Sequence, residues 1–301
     1  MLQAVLPRFA RINVGALTVT RLYDGAISKQ DVRGTFAINA SADDVRRLAG
    51  QHHIATDQFD FPATATLVEA GDCRILIDAG FGEEASPQAG RLLDALRDVG
   101  LAPQDVTHVI ISHLHVDHIG GLLSGDGAPV FSKATHFVAE AERAFWAAEK
   151  GDFANLPHRV MAALGSNLTA VDPDAQIVAG VRLVDCSGHT PGHVGVMIED
   201  DGDRLFIAGD LANHPVLSMA RTDWHMCLDA DPAKAAARRQ SMLGWAADEA
   251  VPFAPYHMPF PAVGRVFREG DGFRYEPAEL APGSTSFDDI AAPSANSASS
   301  A

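Results

Sequence analysis

Short apolar segments, most of them closed by Gly, Asp or Pro, recur along the whole chain, and most are too short to be helices. Ala16 to Tyr23 reads as a strand. Thr64 to Glu69 and Cys73 to Asp78 flank Gly71-Asp72 as a hairpin, and Thr107 to Ser112 is a further strand. His136 to Val138, Val181 to Cys186, Val194 to Glu199 and Arg204 to Ala208 follow, the last two joined by Asp200-Asp201-Gly202-Asp203. Arg265 to Phe267 and Phe273 to Tyr275 flank Gly270-Asp271-Gly272 as a closing hairpin. Helical spacing falls between these segments. It covers Ala42 to Ala49 behind an N-cap at Ser41, the Leu92-Leu93-Leu96 set before a stop at Gly100, and Ala139 to Glu149. A long helix runs from Asp231-Pro232 to Ala250, with proline in the first turn, where its missing N–H costs nothing. Residues 151–170 follow neither period. Strand clusters with interspersed helices, in two halves of similar make-up, predict an α/β (α+β) sandwich with two sheets inside and helices outside. From Leu280 onward Ser, Ala, Pro and Gly dominate. One domain is therefore expected over residues 1–280, with a disordered tail over 281–301.

The strand at Thr107–Ser112 leads into the run Ser-His-Leu-His-Val-Asp-His-Ile-Gly-Gly, residues 112–121. A strand ending in a turn would project His113, His115, Asp117 and His118 toward one point. Imidazole and carboxylate together suit borderline divalent metals such as zinc. A tetrahedral catalytic site uses three protein ligands and keeps one position open. Four candidates in one turn therefore point to two metals, provided that more ligands lie downstream. Three segments qualify: Gly188-His189 with His193 close behind, Gly209-Asp210, and Pro255-Tyr256-His257. Each puts a polar side chain just beyond an apolar strand.

The formal charge of −16 argues against binding a phosphate backbone, which needs clustered Lys and Arg, and against docking on anionic membranes. A small-molecule substrate is the partner that remains. No apolar run approaches the ~20 residues of a spanning helix. Met1 to Asp24 carries no secretory pattern. Cys73, Cys186 and Cys227 are far apart and odd in number, as expected of buried or partly buried thiols in a reducing compartment. A cytoplasmic location is the expectation from these features.

Asp78-Ala79-Gly80, the H-x-H-x-D-H run, Gly188-His189, Gly209-Asp210 and His257 resemble the metallo-β-lactamase superfamily, over residues 12–278. The resemblance implies a four-layer αββα sandwich and a dinuclear metal centre. One ion would be held by His113, His115 and His189, and the other by Asp117, His118 and His257. Asp210 would bridge them together with a water or hydroxide that acts as nucleophile. Zinc is the leading ion, with manganese, cobalt or iron as alternatives. Asp210 and Asp117 would be the catalytic carboxylates, the first setting the metal separation and the second orienting the hydroxide. Asp78 would orient a metal-bound imidazole, and His193 is a candidate for the same work or for a purely structural place.

Within the superfamily, Gly209-Asp210-Leu211, the Arg238-Arg239 helix and the block from His257 to Gly264 resemble the methyl-parathion-hydrolase-like branch. Ala144-Phe145-Trp146 resembles the part of that branch that lines its pocket. Trp146, His214 and Phe260 are accordingly the candidate pocket residues, and Arg238-Arg239 read as a solvated or salt-bridged helix face. The branch implies hydrolysis of esters, lactones or phosphotriesters, and allows a homodimer. Two other readings stand beside it. A β-lactam-cleaving enzyme is disfavoured, because a bridging Asp210 resembles the lactonase, thioesterase and phosphoesterase branches better. An iron-dependent oxygenase or redox protein on the same scaffold is the other, since an imidazole-rich site tolerates iron.

Overall fold

Two sheets of seven strands each carry the chain. The structure, a computed structural model, describes residues 8–82 and 86–278. The first sheet comprises β1 (Phe9–Val14), β2 (Leu17–Gln30), β3 (Gln58–Ala70), β4 (Cys73–Ile77), β5 (His108–Ile111), β6 (Thr135–Ala139) and β7 (Leu168–Val171), side by side in that order. The second comprises β8 (Gln176–Val178), β9 (Val181–Asp185), β10 (Val194–Asp200), β11 (Asp203–Gly209), β12 (Phe253–Pro255), β13 (Gly264–Glu269) and β14 (Gly272–Pro277), again in sequence order. The helices are α1 (Val32–Phe36), α2 (Ala42–Gln51), α3 (Leu92–Asp98), α4 (Val116–Ile119), α5 (Glu140–Ala148), α6 (Asn155–Leu164), α7 (Leu217–Ala220) and α8 (Pro232–Asp248).

The two-residue period of the strands produces the layers. Ile75 and Ile77 of β4, Ile110 of β5, and Leu205 and Ile207 of β11 meet between the sheets. Their neighbours point outward. Leu76, Val109 and Ile111 join Leu92, Leu96 and Val160 of α3 and α6, while Phe206 and Ala208 join Leu243 and Ala246 of α8. The result is helix, sheet, sheet, helix: the expected αββα sandwich.

Strand direction places the site. β4, β5 and β6 are mutually parallel, and β11 is parallel to β12. β9 shares the direction of β11, because both are antiparallel to β10. The C-terminal ends of these strands deliver Asp78, His113, Glu142, His189, Asp210 and His257.

Several element boundaries differ from the sequence reading. β2 continues to Gln30 instead of stopping at Tyr23, because Asp24-Gly25 forms an irregularity in the ladder and not a turn. Asp24 is buried there and accepts the amide N–H groups of Phe81, Gly90 and Leu92. Residues 151–170 fold as α6 and the start of β7. Of the cysteines, Cys186 is buried and Cys73 partly so, whereas Cys227 is exposed. The expected tail at 281–301 lies outside the described residues. Among the described residues no helix is long and apolar enough to cross a membrane.

Candidate metal centre

β5 ends at Ile111, and the chain turns through His113 and Leu114 before α4 begins at Val116. The turn can lie this close to the end of β4 because its last residues are glycines. A Cβ on Gly120 would stand 2.0 Å from the carbonyl oxygen of Phe81, and one on Gly121 2.1 Å from that of Ala79. The glycines that close the H-x-H-x-D-H run thus fit it against the Asp78-Ala79-Gly80 turn.

Seven side chains converge at the sheet edge. His113, His115, His189 and Asp210 form one group that could hold an ion, and Asp117, His118 and His257 form a second. His115 turns its Nδ1 inward, 2.9 Å from His113 Nε2 and 3.0 Å from His189 Nε2. Asp210 stands between the groups. Its Oδ2 lies 3.3 Å from His189 Nε2 and 4.0 Å from His113 Nε2. Its Oδ1 lies 3.1 Å from His118 Nε2 and 3.2 Å from His257 Nε2. Asp117 Oδ2 closes the second group, 3.3 Å from His257 Nε2.

These residues fit divalent ions on a structural test. His118 Nε2, His257 Nε2 and Asp210 Oδ1 are buried, and none has a hydrogen-bond partner of acceptable geometry. Buried polar atoms are nearly always satisfied. Three orphans facing one point are the arrangement that a shared cation resolves.

The far sides of His118, His189 and His257 are anchored, as is usual for metal-binding histidines. His118 Nδ1 is 2.8 Å from Asp78 Oδ2, and Asp78 also accepts the N–H and Oγ–H of Ser112. Asp78 therefore stands where it was expected. His189 Nδ1 is 2.8 Å from Asp229 Oδ1, and His257 Nδ1 donates to the Pro62 carbonyl at 2.7 Å. The ring of His257 stacks on Phe61 with centroids 3.7 Å apart, and that of His118 on Tyr256 at 3.9 Å. His193 cannot offer a free nitrogen. Its Nδ1 donates to the Cys186 carbonyl at 3.0 Å, and its Nε2 accepts the backbone N–H of Asp210 at 3.1 Å.

Burial works against charge on His115, His118, His189 and Asp210, and their neighbours decide the outcome. For His118, burial is outweighed by the carboxylates of Asp210 and Asp78, which hold its pKa well above the usual range. For His189, burial is outweighed by Asp210 and Asp229, and the value rises to about 9. Asp210, buried beside His257 and His118, is held well below the carboxylate range. His115 lacks such support: burial and the neighbouring His189 push it down to about 3.

The candidate pocket residues are scattered. Trp146 is buried, its ring nearly perpendicular to that of His115 with centroids 5.7 Å apart, and its Nε1–H is donated to Glu142. His214 spends Nδ1 accepting the N–H groups of Val216 and Leu217, with Phe36 at 5.1 Å. Phe260 is half-buried against Tyr23. None of the three lines the cavity of about 490 Å³ that opens beside Gly120 and Gly121.

Four supporting residues escaped the sequence reading. Asp229 looks like one more polar residue before the α8 cap. Asn213 donates to Asp210 Oδ2 at 3.2 Å. Arg21, buried in β2, donates to the Pro255 carbonyl at 2.6 Å and so steadies the strand that delivers His257. Glu142 is fully buried under α5. Arg239 also departs from expectation. Arg238 does pair with Asp185, at 2.5 Å, but Arg239 is buried and donates to the carbonyls of Leu211, Thr222 and Trp224, with Asp229 at 3.7 Å. The sequence held the signal: Ala235, Arg239 and Leu243 share one face of α8.

Known proteins share this fold. AidC, a dizinc quorum-quenching lactonase, superposes with a TM-score of 0.86 at 26% identity, covering 91% of this chain and 98% of its own. The hydrolase AbOPH of the β-lactamase superfamily gives 0.83 at 22% identity, over 93% of this chain and all of its own, a likeness of fold. In sequence, an N-acyl homoserine lactonase of Bacillus thuringiensis subsp. kurstaki is 29% identical over 161 residues, 47% of this chain. A probable metallo-hydrolase of Mycobacterium tuberculosis is 28% identical over 177 residues, 49% of this chain. The chain spans only 60% and 56% of the lengths of these two relatives. The profile of the metallo-β-lactamase superfamily runs over residues 59–257, from β3 to His257 itself, and by that match the chain belongs to this superfamily.

Proposed function

We propose that the protein is a dinuclear metal-dependent hydrolase that opens lactone rings, with N-acyl homoserine lactones as the leading substrates, within one domain over residues 1–280. The observation that carries this reading is the placement of Asp210, whose two oxygens face two separate groups of imidazoles. The related N-acyl homoserine lactonase and the dizinc lactonase of the same fold favour a lactone among the ester-like substrates.

The donor set of imidazoles and carboxylates suits zinc. His113, His115 and His189 would hold one ion and Asp117, His118 and His257 the other, with Asp210 shared. When bound, two such ions polarise a carbonyl oxygen and bring the pKa of water at the centre toward neutrality. The chain's own residues would do the rest. Asp210, tied by His193 and Asn213, fixes the separation of the two groups. Asp117, whose side chain keeps 13% exposure, reaches the mouth of the centre, and its carbonyl accepts the Tyr256 hydroxyl at 2.8 Å. Burial opposes its ionisation, but the neighbouring imidazoles of His257 and His118 hold its pKa below the carboxylate range. It is therefore an acceptor at neutral pH, able to orient the attacking water and receive its proton.

The block from His257 to Gly264 supports a phosphotriester as the second reading. The test is turnover of N-hexanoyl homoserine lactone, an aryl ester, a phosphotriester and a β-lactam, each with zinc, manganese, cobalt and iron. Lactone turnover that disappears in Asp210→Ala and His115→Ala, with the fold retained, is the expected result. Turnover of the lactone unchanged by either substitution overturns the assignment. Oxygen consumption by the iron form would move it to the oxygenase class.

A further inference from the structure

Glu142 sits in the first turn of α5 with no exposure to solvent, and all four of its partners are neutral donors. Its Oε1 accepts the Leu114 N–H at 2.9 Å and the Trp146 Nε1–H at 2.7 Å. Its Oε2 accepts the Thr190 hydroxyl at 2.6 Å and the Gly192 N–H at 3.0 Å. Burying a carboxylate without a cation is costly, and an apolar side chain could fill the same space without that cost. What the carboxylate adds is the alignment of donors from separate segments.

Those segments carry one half of the centre. Leu114 lies between His113 and His115, and Thr190 follows His189. Trp146, the fourth partner, sets its edge against His115. The loop is also pressed onto the helix: a Cβ on Gly192 would stand 2.2 Å from the Glu142 nitrogen. The other half has supports of its own, although Asp78 also holds Ser112 beside His113. Asp78 and Tyr256 hold His118, and Phe61 and the Pro62 carbonyl hold His257.

We propose that Glu142 is the positioning residue of the three-histidine half, fixing the His113–His115 turn and the His189 loop at one separation so that this half can hold its ion. This rests on the two-ion reading above. Glutamine is a telling replacement. Whichever way its amide turns, an NH₂ group faces two donors, and a backbone N–H among them cannot rotate away.

The experiment is zinc titration of metal-depleted protein, with bound metal counted by elemental analysis. Wild type is expected to bind two ions. Glu142→Gln and Thr190→Val are each expected to keep one ion at wild-type affinity and to bind the second about 10–100-fold more weakly, the range typical of lost supporting contacts. Thr190→Ser, which retains the hydroxyl, is expected to match wild type. In a His189→Ala background, Glu142→Gln should change the affinity of the remaining ion no further. Two ions bound at wild-type affinity by both Glu142→Gln and Thr190→Val would overturn the proposal, and so would equal weakening of both ions. If Glu142→Gln fails to fold, the Thr190 pair decides the question. A wild type that cannot take up two ions would instead sink the two-ion reading itself.

Discussion

His193 Nε2 accepts the backbone N–H of Asp210 at 3.1 Å, so the carboxylate between the two imidazole groups is held from its own main chain by a histidine whose ring packs edge-on beside His113 and His189. Gly209 makes the contact close, for a Cβ there would stand 2.5 Å from that nitrogen. His193→Ala would leave a buried N–H unsatisfied, at a cost of about 1–3 kcal/mol. The expected outcome is lower stability to urea together with a 10–100-fold loss of turnover, on the order seen for supporting residues. His193→Gln, whose amide oxygen reaches toward the place of Nε2, should recover part of both. Wild-type turnover in His193→Ala would show that Asp210 needs no such anchor.

Asp229 serves three neighbours: His189 Nδ1 at 2.8 Å, the Met226 N–H at 3.1 Å and the guanidinium of Arg239 at 3.7 Å. Asp229→Ala should therefore do more than weaken metal binding. It leaves Arg239, 5% exposed, without its counter-charge, and breaking a buried pair from one side costs about 3–5 kcal/mol. Asp229→Asn keeps an acceptor for His189 and should cost less in stability. The double variant Asp229→Ala/Arg239→Met should be more stable than Asp229→Ala alone while its metal affinity stays low. Denaturation midpoints and zinc titration of the three proteins separate the two effects. A double variant less stable than the single one would refute the counter-charge role.

The parts of the site that were legible in the sequence are those whose residue types are unusual in their place. His113, His115, Asp117 and His118 crowd one turn after an apolar strand, and His189, Asp210 and His257 each follow another. No surface or core rationale explains that pattern. The sandwich of two sheets followed from the clusters of short strands, and the place of Asp78 from the family resemblance. The supports were not legible, because an Asp, a Glu or an Arg is ordinary in polar surroundings and only the fold shows which one is buried. Glu142 and Trp146 do share a helix face at i and i+4, which is the trace that a buried acid leaves. The candidate pocket residues Trp146, His214 and Phe260 come to lie in three different surroundings.

His214 gives a pH signature. Its Nδ1 accepts two amide N–H groups at the start of α7, each at 3.1 Å, so the proton must sit on Nε2 and the ring must be neutral. Burial pushes its pKa from 6.5 down to about 4. As pH falls from 6.5 toward 4 the unfolded chain takes up a proton that the folded one refuses, and stability declines. At about 1.4 kcal/mol per pKa unit, the group accounts for roughly 3 kcal/mol across that window. His214→Asn keeps an acceptor near the place of Nδ1 and does not titrate. Its unfolding free energy should fall less steeply than that of wild type between pH 6.5 and 4, with the curves parallel above pH 7. Parallel curves throughout would mean that His214 is charged in the fold.

Metal removal tests the orphaned atoms directly. With ions present, His118 Nε2, His257 Nε2 and Asp210 Oδ1 have a common partner; without them three buried polar groups face one another. A ligand that binds only the folded state adds about 4 kcal/mol at a free concentration 1,000 times its Kd. Chelation should therefore lower Tm by several degrees at neutral pH, and added zinc should restore it. The gap should narrow as pH falls. Burial opposes charge on His118 and His257, but the neighbouring carboxylates outweigh it and hold both imidazoles above their usual pKa in the ion-free protein. At lower pH those protons take over the neutralising work of the ions, while ions bind only the deprotonated rings and lose affinity. Thermal melts with and without chelator, from pH 8 down to pH 5.5, read both effects. A Tm indifferent to chelator at pH 8 would mean that no ion occupies this point.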